Sequence, residues 1–320
     1  MIFFKTGPSF ADITKKLRRL VSILPALRSR TGNRSVEEVL EELRSLQKDH
    51  PYWSRRQREL VSIRFYLQQA IWWAENAMVG HAAGVSNYVT LIGYVEEFRR
   101  SNEPVILISF NYDTLIERAL FSHFDEFSFK DIQDYVRRPT YKLFKLHGSV
   151  NWGHPVEDDP RIDIAKGPEQ VTNAIIELAD SIRFQSDSFV VMEKPSAVCR
   201  GYAYVPAISI PVQTKSDFSC PQDWLPPLEQ SLEGVTNVLV IGWRGSEEHF
   251  LNKAVPVLNK NAELAVSVVS DSAESAQDTH ERLRNSGLRP ARSYDYLGGF
   301  TNFIVSDDVK IFLRRGGNVV

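Results

Sequence analysis

Val105-Ile106-Leu107-Ile108-Ser109-Phe110-Asn111-Tyr112-Asp113 is the segment from which the fold class of this chain can be read. Its near-continuous run of Val, Ile and Leu is the pattern of a strand buried on both faces, as in parallel sheets. The run stops at three polar-tipped side chains, and Thr114-Leu115-Ile116-Glu117-Arg118-Ala119-Leu120 then has helical character. In open α/β sheets, ligands bind outside the carboxyl ends of such strands. Asn111 and Asp113 therefore have two readings. They act on a ligand, or they turn the chain and cap the next helix.

The same grammar recurs downstream. Tyr141 to Leu146 reads as a strand ending at His147-Gly148-Ser149-Val150-Asn151-Trp152, and a polar loop is expected between His154 and Pro168. Gly167-Pro168 opens a helix through Val171, Ile175 and Leu178, and Phe189 to Met192 reads as a strand. The proline-rich segment 195–227 is expected to be an extended, ordered loop, because each Pro fixes its own φ and restricts its predecessor. Val238-Leu239-Val240-Ile241 is a buried strand ending at Gly242-Trp243-Arg244-Gly245-Ser246, followed by a helix with Phe250, Leu251, Ala254 and Leu258 inward. Leu264 to Val269 is another strand, ending at Ser270-Asp271-Ser272. The helix after it stops near Asn285-Ser286-Gly287, where Gly suits a left-handed cap. A final helix is expected from Asp307 to Arg314. This alternation predicts an α/β fold with a doubly wound, mostly parallel sheet.

Upstream of Pro104 the period is helical. Ile13, Leu17, Leu20, Val21 and Leu24 recur at three- and four-residue steps. Ser35-Val36-Glu37-Glu38 matches a capping box ahead of the stripe Val36, Val39, Leu40, Leu43 and Leu46. Helices are also expected from about Ser54 to Ala77 and after Ser86, the latter with Val89, Ile92 and Val95 inward. Residues 1–103 are thus expected to be a helical part or insertion, and 104–320 the α/β core.

Composition narrows the classes. The 320 residues carry 38 basic and 40 acidic side chains, a net charge of −2 that gives no global pull toward nucleic acid or membrane. No window approaches the roughly 18 consecutive apolar residues of a membrane span, and Met1-Ile2-Phe3-Phe4-Lys5 is too short an apolar stretch for a secretory signal. A cytoplasmic protein is the default expectation. With only Cys199 and Cys220, neither a disulfide framework nor a four-cysteine zinc site can form within one chain. Reduced thiols are expected.

In a parallel sheet the strand ends share one edge, so Asn111-Tyr112-Asp113, His147-Gly148-Ser149, Gly242-Trp243-Arg244-Gly245 and Ser270-Asp271 can converge. Gly242-Trp243-Arg244-Gly245 lacks the G-x-G-x-x-G spacing of an ordinary dinucleotide fingerprint. Taken in order, however, Ile108-Ser109-Phe110-Asn111-Tyr112-Asp113, Lys145-Leu146-His147-Gly148-Ser149-Val150-Asn151-Trp152 and Val240-Ile241-Gly242-Trp243-Arg244-Gly245 resemble the sirtuin-like NAD-binding domain. They are most similar to the bacterial branch associated with antiphage defence. The resemblance covers about residues 104–305 and implies a Rossmann-type core. It also implies hydrolysis of NAD to nicotinamide and ADP-ribose, with Asn111 positioning ribose or water and His147 as general base. Asp113 would hold the nicotinamide amide or stabilise positive charge. Gly148, Ser149, Gly242, Trp243 and Ser270 are the implied dinucleotide-binding residues, with Ser270 at the adenosine ribose. NAD or ADP-ribose is the implied ligand, and a homo-oligomer or a defence-system protein the implied partner.

Two departures from the family pattern bear on activity. The zinc-holding cysteines of sirtuin deacylases are missing, which favours NAD hydrolysis over deacylation and leaves no metal expected. The family also begins with a strand and a Gly-Ala-Gly-x-Ser type turn whose N–H groups cradle the pyrophosphate. Here Thr6-Gly7-Pro8-Ser9 stands instead, and Pro supplies no N–H. Three readings stay open: the first strand is lacking, the true start lies upstream, or Gly7 and Ser9 form a reduced turn. The alternative to an enzyme is a catalytically silent NAD or ADP-ribose sensor or interaction module.

Overall fold

The structure is a computed structural model and describes residues 50–81, 84, 86–100, 103–210 and 218–316. The helices expected around Ile13–Leu24 and Val36–Leu46, and the Gly7-Pro8-Ser9 turn, lie outside the described residues. Helix α1 (Trp53–His81) is followed by α2 (Asn87–Phe98), the helix expected after Ser86, and Ser86 caps it by accepting a hydrogen bond from the Val89 amide. Strand β1 (Val105–Ser109) leads into α3 (Leu115–His123), and β2 (Tyr141–Lys145) pairs with β1 in parallel register, Val105 opposite Tyr141.

A second parallel block comes from the last third of the chain. Strands β7 (Asn237–Ile241), β8 (Ala265–Ser270) and β9 (Arg292–Leu297) lie side by side in chain order. Helix α6 (Glu248–Leu258) connects the first two, and α7 (Ala273–Asn285) the next two. The expected inward residues Phe250, Leu251, Ala254 and Leu258 are all buried. At the end of α7 the Leu288 amide donates to the Leu283 carbonyl, and Gly287 adopts φ +96°. The expected left-handed cap is therefore present. Strand β9 and helix α8 (Gly299–Val305) are elements the sequence reading did not include; helix α9 (Asp308–Gly316) is the expected final one.

Among the described residues no ladder joins β1 to β7, so the parallel strands form two blocks instead of one continuous sheet. Val105 to Ile108 are accordingly half-buried, not buried on both faces as expected. One shared core spans both blocks, from Leu143 and Phe144 to Val240, Leu251 and Val266.

Between the blocks in chain order comes a four-stranded antiparallel sheet in the order β4-β3-β6-β5. It comprises β3 (Gly148–Pro155), β4 (Val190–Val191), β5 (Val198–Cys199) and β6 (Tyr202–Ile208), with α4 (Pro168–Glu177) between β3 and β4. Two expectations are corrected here. The segment beginning at His147 is not only punctuation after β2 but continues as a strand. The proline-rich region is not an extended loop: it holds the β5–β6 hairpin and α5 (Leu225–Leu232). Prolines fit these places for physical reasons. Pro206 lies where the β3–β6 register shifts, and Pro226 and Pro227 occupy the first turn of α5, where a missing N–H is tolerated.

Gly148, at φ +83°, is the hinge between β2 and β3. A Cβ there would stand 2.0 Å from the Ala207 carbonyl oxygen. Gly148→Ala is expected to destabilise the protein by about 3 kcal/mol or more, combining a left-handed backbone with a backbone clash. Gly234→Ala, at φ +76° with nothing within 4 Å, isolates the backbone component at about 1 kcal/mol. Equilibrium denaturation of both variants measures the difference.

His154 on β3 is 7% exposed, and its Nδ1 pairs with the Ser188 carbonyl at 3.0 Å. Burial pushes its imidazole down to about 4. Between pH 6.5 and that value the folded chain binds fewer protons here than the unfolded chain, so stability is full above pH 6.5 and falls as pH drops. The expected loss is about 1.4 kcal/mol per pH unit across this window. Denaturation curves of wild type and His154→Gln over pH 4 to 7 test it, since the substitution removes this slope.

Candidate functional site

The tip of β1 and the start of β3 are tied by backbone hydrogen bonds. The Leu146 amide donates to the Ser109 carbonyl at 3.0 Å, and the Val150 amide to the Tyr112 carbonyl at 2.8 Å. The Ser149 hydroxyl donates to the same Tyr112 carbonyl at 3.3 Å. Asn111-Tyr112-Asp113 and His147-Gly148-Ser149, far apart in sequence, are thereby one structural unit. His147 and Ser149 are completely buried, and Asn111 is exposed.

Beneath this unit lies a buried charge network. Lys145, 1% exposed, sets its ammonium 3.1 Å from the Glu117 carboxylate and donates to the Asp113 carbonyl. Tyr135 donates its hydroxyl to Glu117 at 3.2 Å, and the Trp152 indole N–H donates to Tyr135 at 3.1 Å. Burial holds the Glu117 carboxyl above the usual carboxylate range, against the pull of the Lys145 ammonium. An ammonium out of water is tolerable only when paired and hydrogen-bonded. That requirement places the Asp113 carbonyl, and with it the turn.

Helix α1 supports the same turn from outside. Glu75, 3% exposed, accepts from the Thr114 amide at 2.9 Å, from the Thr114 hydroxyl and from Arg118 Nε at 2.6 Å. It thus serves the N-terminus of α3 as a capping carboxylate. Two helical turns earlier, Gln68 donates to the Val150 carbonyl at 2.9 Å. The Asp113 carboxylate accepts from the Leu115 amide at 3.1 Å, the local capping role open to it in sequence. Tyr88 on α2 lies near Asp113, and its phenol is pushed up to about 12, chiefly by burial and then by the Asp113 charge.

The second parallel block meets the first through aromatic rings. Phe110 stacks on Trp243 with centroids 5.2 Å apart, lies edge-on to Phe250 at 5.4 Å, and sits 5.1 Å from the His147 ring. Trp243 donates its indole N–H to the Glu247 carboxylate, which also accepts from the Ser246 hydroxyl at 3.0 Å. Glu247 is 7% exposed, and its charge adds to burial in raising the Tyr112 phenol. His249, half-buried in the first turn of α6, stacks toward His147 with centroids 6.0 Å apart.

Of the residues singled out in sequence, the structure therefore gathers Asn111, Asp113, His147, Gly148, Ser149 and Trp243. Gly242 directly follows β7 at φ +62°, and no atom beyond its chain neighbours lies within 4 Å of where a Cβ would stand, which leaves its backbone approachable. Ser270 ends the neighbouring β8 and donates to its own neighbour Asp271 at 3.2 Å. Sequence reasoning missed Tyr88, Glu247 and His249. The signal for the last two was their place: Glu247-Glu248-His249 directly follows Gly242-Trp243-Arg244-Gly245-Ser246 at a strand end.

Tyr112 tests the fit to a polar ligand. Its hydroxyl is buried and has no hydrogen-bond partner among the described residues, while its ring lies 6.5 Å from His147. A buried hydroxyl is normally satisfied, so an orphan beside an imidazole marks a position that suits a bound hydroxyl or carbonyl. Cys199 and Cys220 are both free, and no group of three His, Cys, Asp or Glu with metal-holding geometry occurs among the described residues. No helix among them is long and apolar enough to cross a membrane.

Comparison with known proteins agrees with the motifs. The family model described as SIR2-like domain matches residues 105–291, from the first residue of β1 to the threshold of β9. A search of curated proteins found no match.

The buried network makes a stability prediction with a sign. Lys145→Met alone is expected to cost about 3–5 kcal/mol, because it strands the Glu117 carboxylate in the interior. Lys145→Met with Glu117→Leu is expected to cost clearly less than the two single changes added together. Urea denaturation of the complete double-mutant cycle measures this.

Proposed function

We propose that this chain, which belongs to the SIR2-like domain family, cleaves the nicotinamide–ribose bond of NAD to give nicotinamide and ADP-ribose. Domains of this family bind NAD. The observation that carries the reading is the orphan Tyr112 hydroxyl beside the His147 imidazole, at the junction where backbone hydrogen bonds tie the segment of Asn111 to that of His147.

In this reaction nicotinamide leaves as a neutral base with the electrons of the broken bond, positive charge builds on the ribose, and water supplies the new oxygen. His147 takes the proton released by that water, the general-base role that an imidazole can fill. Asn111 orients the ribose hydroxyls or the water. Asp113 and the buried Glu247 contribute negative potential where positive charge grows. Gly242 and Trp243 hold the dinucleotide, and Ser270 the adenosine ribose. Gly148 and Ser149 fix the shape of the turn that presents His147. Zinc-dependent deacylation is not part of this reading, since the chain has two cysteines in all. The resemblance of the three motifs to the antiphage-defence branch supplies the biological setting we propose.

One observation favours a second reading, a silent NAD or ADP-ribose sensor. Thr6-Gly7-Pro8-Ser9 would make a poor phosphate cradle, because Pro8 supplies no backbone N–H.

Incubation of the pure protein with NAD, followed by measurement of released nicotinamide, separates the two. Release in wild type and a loss of about 100-fold or more in Asn111→Ala and in His147→Ala is the expected result. Saturable NAD binding without release supports the sensor. Neither binding nor release removes both.

A further inference from the structure

A cleft of about 450 Å³ opens in the second parallel block, toward the end away from the candidate site. Val266 and Ser293 in its lining are the second residues of β8 and β9, whereas Gly242 and Ser270 stand at the carboxyl ends of β7 and β8. The volume is that of a small-molecule pocket. Its back is apolar, formed by the buried Leu283 and Leu288 together with Pro290. Two guanidiniums, from Arg284 and Arg289, stand in its wall. Arg289 is held in place: its Nη1 donates to the Arg284 and Leu288 carbonyls, both at 3.0 Å, and its amide donates to Asn259 Oδ1 at 2.9 Å. One corner of the fork thus satisfies a carbonyl in the last turn of α7, and Nε and Nη2 are left to a ligand. Neither arginine has a carboxylate partner among the described residues. Two positive charges at one apolar cleft, with no acid paired to them, suit an anion. We propose that this cleft binds a small phosphate monoester, with its phosphate on Arg284 and Arg289 and its carbon body on the apolar back.

The cleft needs nothing from the hydrolase reading, since none of its lining residues belongs to the candidate site. Charge and geometry select the anion. A carboxylate has two oxygens and one charge, which a single guanidinium fork satisfies. A phosphate monoester carries a charge of roughly −1.5 to −2 at neutral pH and three acceptor oxygens, which match two forks. The exposed Ser293 hydroxyl offers one more donor in the same lining. Asp295 is the acid in the wall, and it repels an anion on its own side. Its carboxylate is engaged, however, with His280 Nε2 at 2.7 Å from its Oδ1, and that contact moderates the repulsion. The apolar back favours a phosphate that brings a carbon body over the bare ion, because burying that body removes apolar surface from water.

Calorimetric titration of the full chain with phenyl phosphate, inorganic phosphate and benzoate tests this, in wild type, Arg284→Gln and Arg289→Gln. Phenyl phosphate is expected to bind wild type saturably and each variant about tenfold or more weakly. Arg284→Gln carries the test if Arg289→Gln unfolds, because the Arg284 side chain has no partner among the described residues whereas Arg289 ties down the end of α7. Inorganic phosphate, which lacks the body, and benzoate, which lacks the second charge, are each expected to bind wild type about fivefold or more weakly than phenyl phosphate. Saturating NAD is expected to leave the phenyl phosphate affinity unchanged. No saturable binding up to about 10 mM overturns the proposal. So does equal affinity in wild type and Arg284→Gln, or either simpler anion binding as tightly as phenyl phosphate. Competition by NAD would move the phosphate to the candidate site and overturn the separate cleft. A chain that neither binds nor cleaves NAD fails the hydrolase reading alone, and the phenyl phosphate titration still decides the cleft.

Discussion

Everything at this site hangs on one buried cation. Lys145 has almost no contact with water, so its charge must be met by protein, and it is met by the Glu117 carboxylate and the Asp113 carbonyl. Asp113 lies in the β1–α3 turn and Glu117 in the first turn of α3, while Lys145 itself ends β2. The need to neutralise a single ammonium therefore fixes the distance between two neighbouring strand tips. Tyr135 and Trp152 extend the network into the antiparallel sheet, so β2, α3 and β3 are tied to one another.

The second organising element is apolar. Phe110 follows directly after β1, yet its ring contacts Trp243 and Phe250 of the other parallel block. Since no ladder joins β1 to β7 among the described residues, ring stacking holds together what backbone pairing does not. Stacking is less demanding of register than a ladder of hydrogen bonds. It also places an imidazole from each block, His147 and His249, face toward face.

Much of this was legible in the sequence because it depends on local grammar. The apolar runs of β1, β2, β7 and β8, the helix after Ser86 and the cap at Gly287 are near-neighbour patterns, and the structure reproduces them. The antiparallel sheet was less visible. Gly148-Ser149-Val150-Asn151-Trp152 carries glycine and polar residues that read as punctuation, but burial from both sides makes it a strand. The prolines of 195–227 pointed to a loop because their places, at a register shift and in a first helical turn, follow from tertiary pairing. Strand β9 was hidden for another reason: Arg292-Ser293-Tyr294-Asp295-Tyr296-Leu297 is an edge strand, largely exposed, without the apolar run of its neighbours. At the site, Asn111 and His147 stood out by residue type. Glu247 and His249 did not, because in sequence they look like the solvated start of an amphipathic helix.

Glu75 has a further consequence, and it concerns time. The carboxylate that caps α3 comes from a residue 39 positions earlier in the chain, and Gln68 reaches across 82 positions to Val150. A local cap forms along with its helix, but this one cannot exist until α1 has closed a long loop and docked. The turn bearing Asn111 and Asp113 is therefore completed by late, non-local contacts. In a refolding chain, strands rich in local signals can assemble while this corner is still unfinished, so recovery of secondary structure would run ahead of recovery of the assembled site.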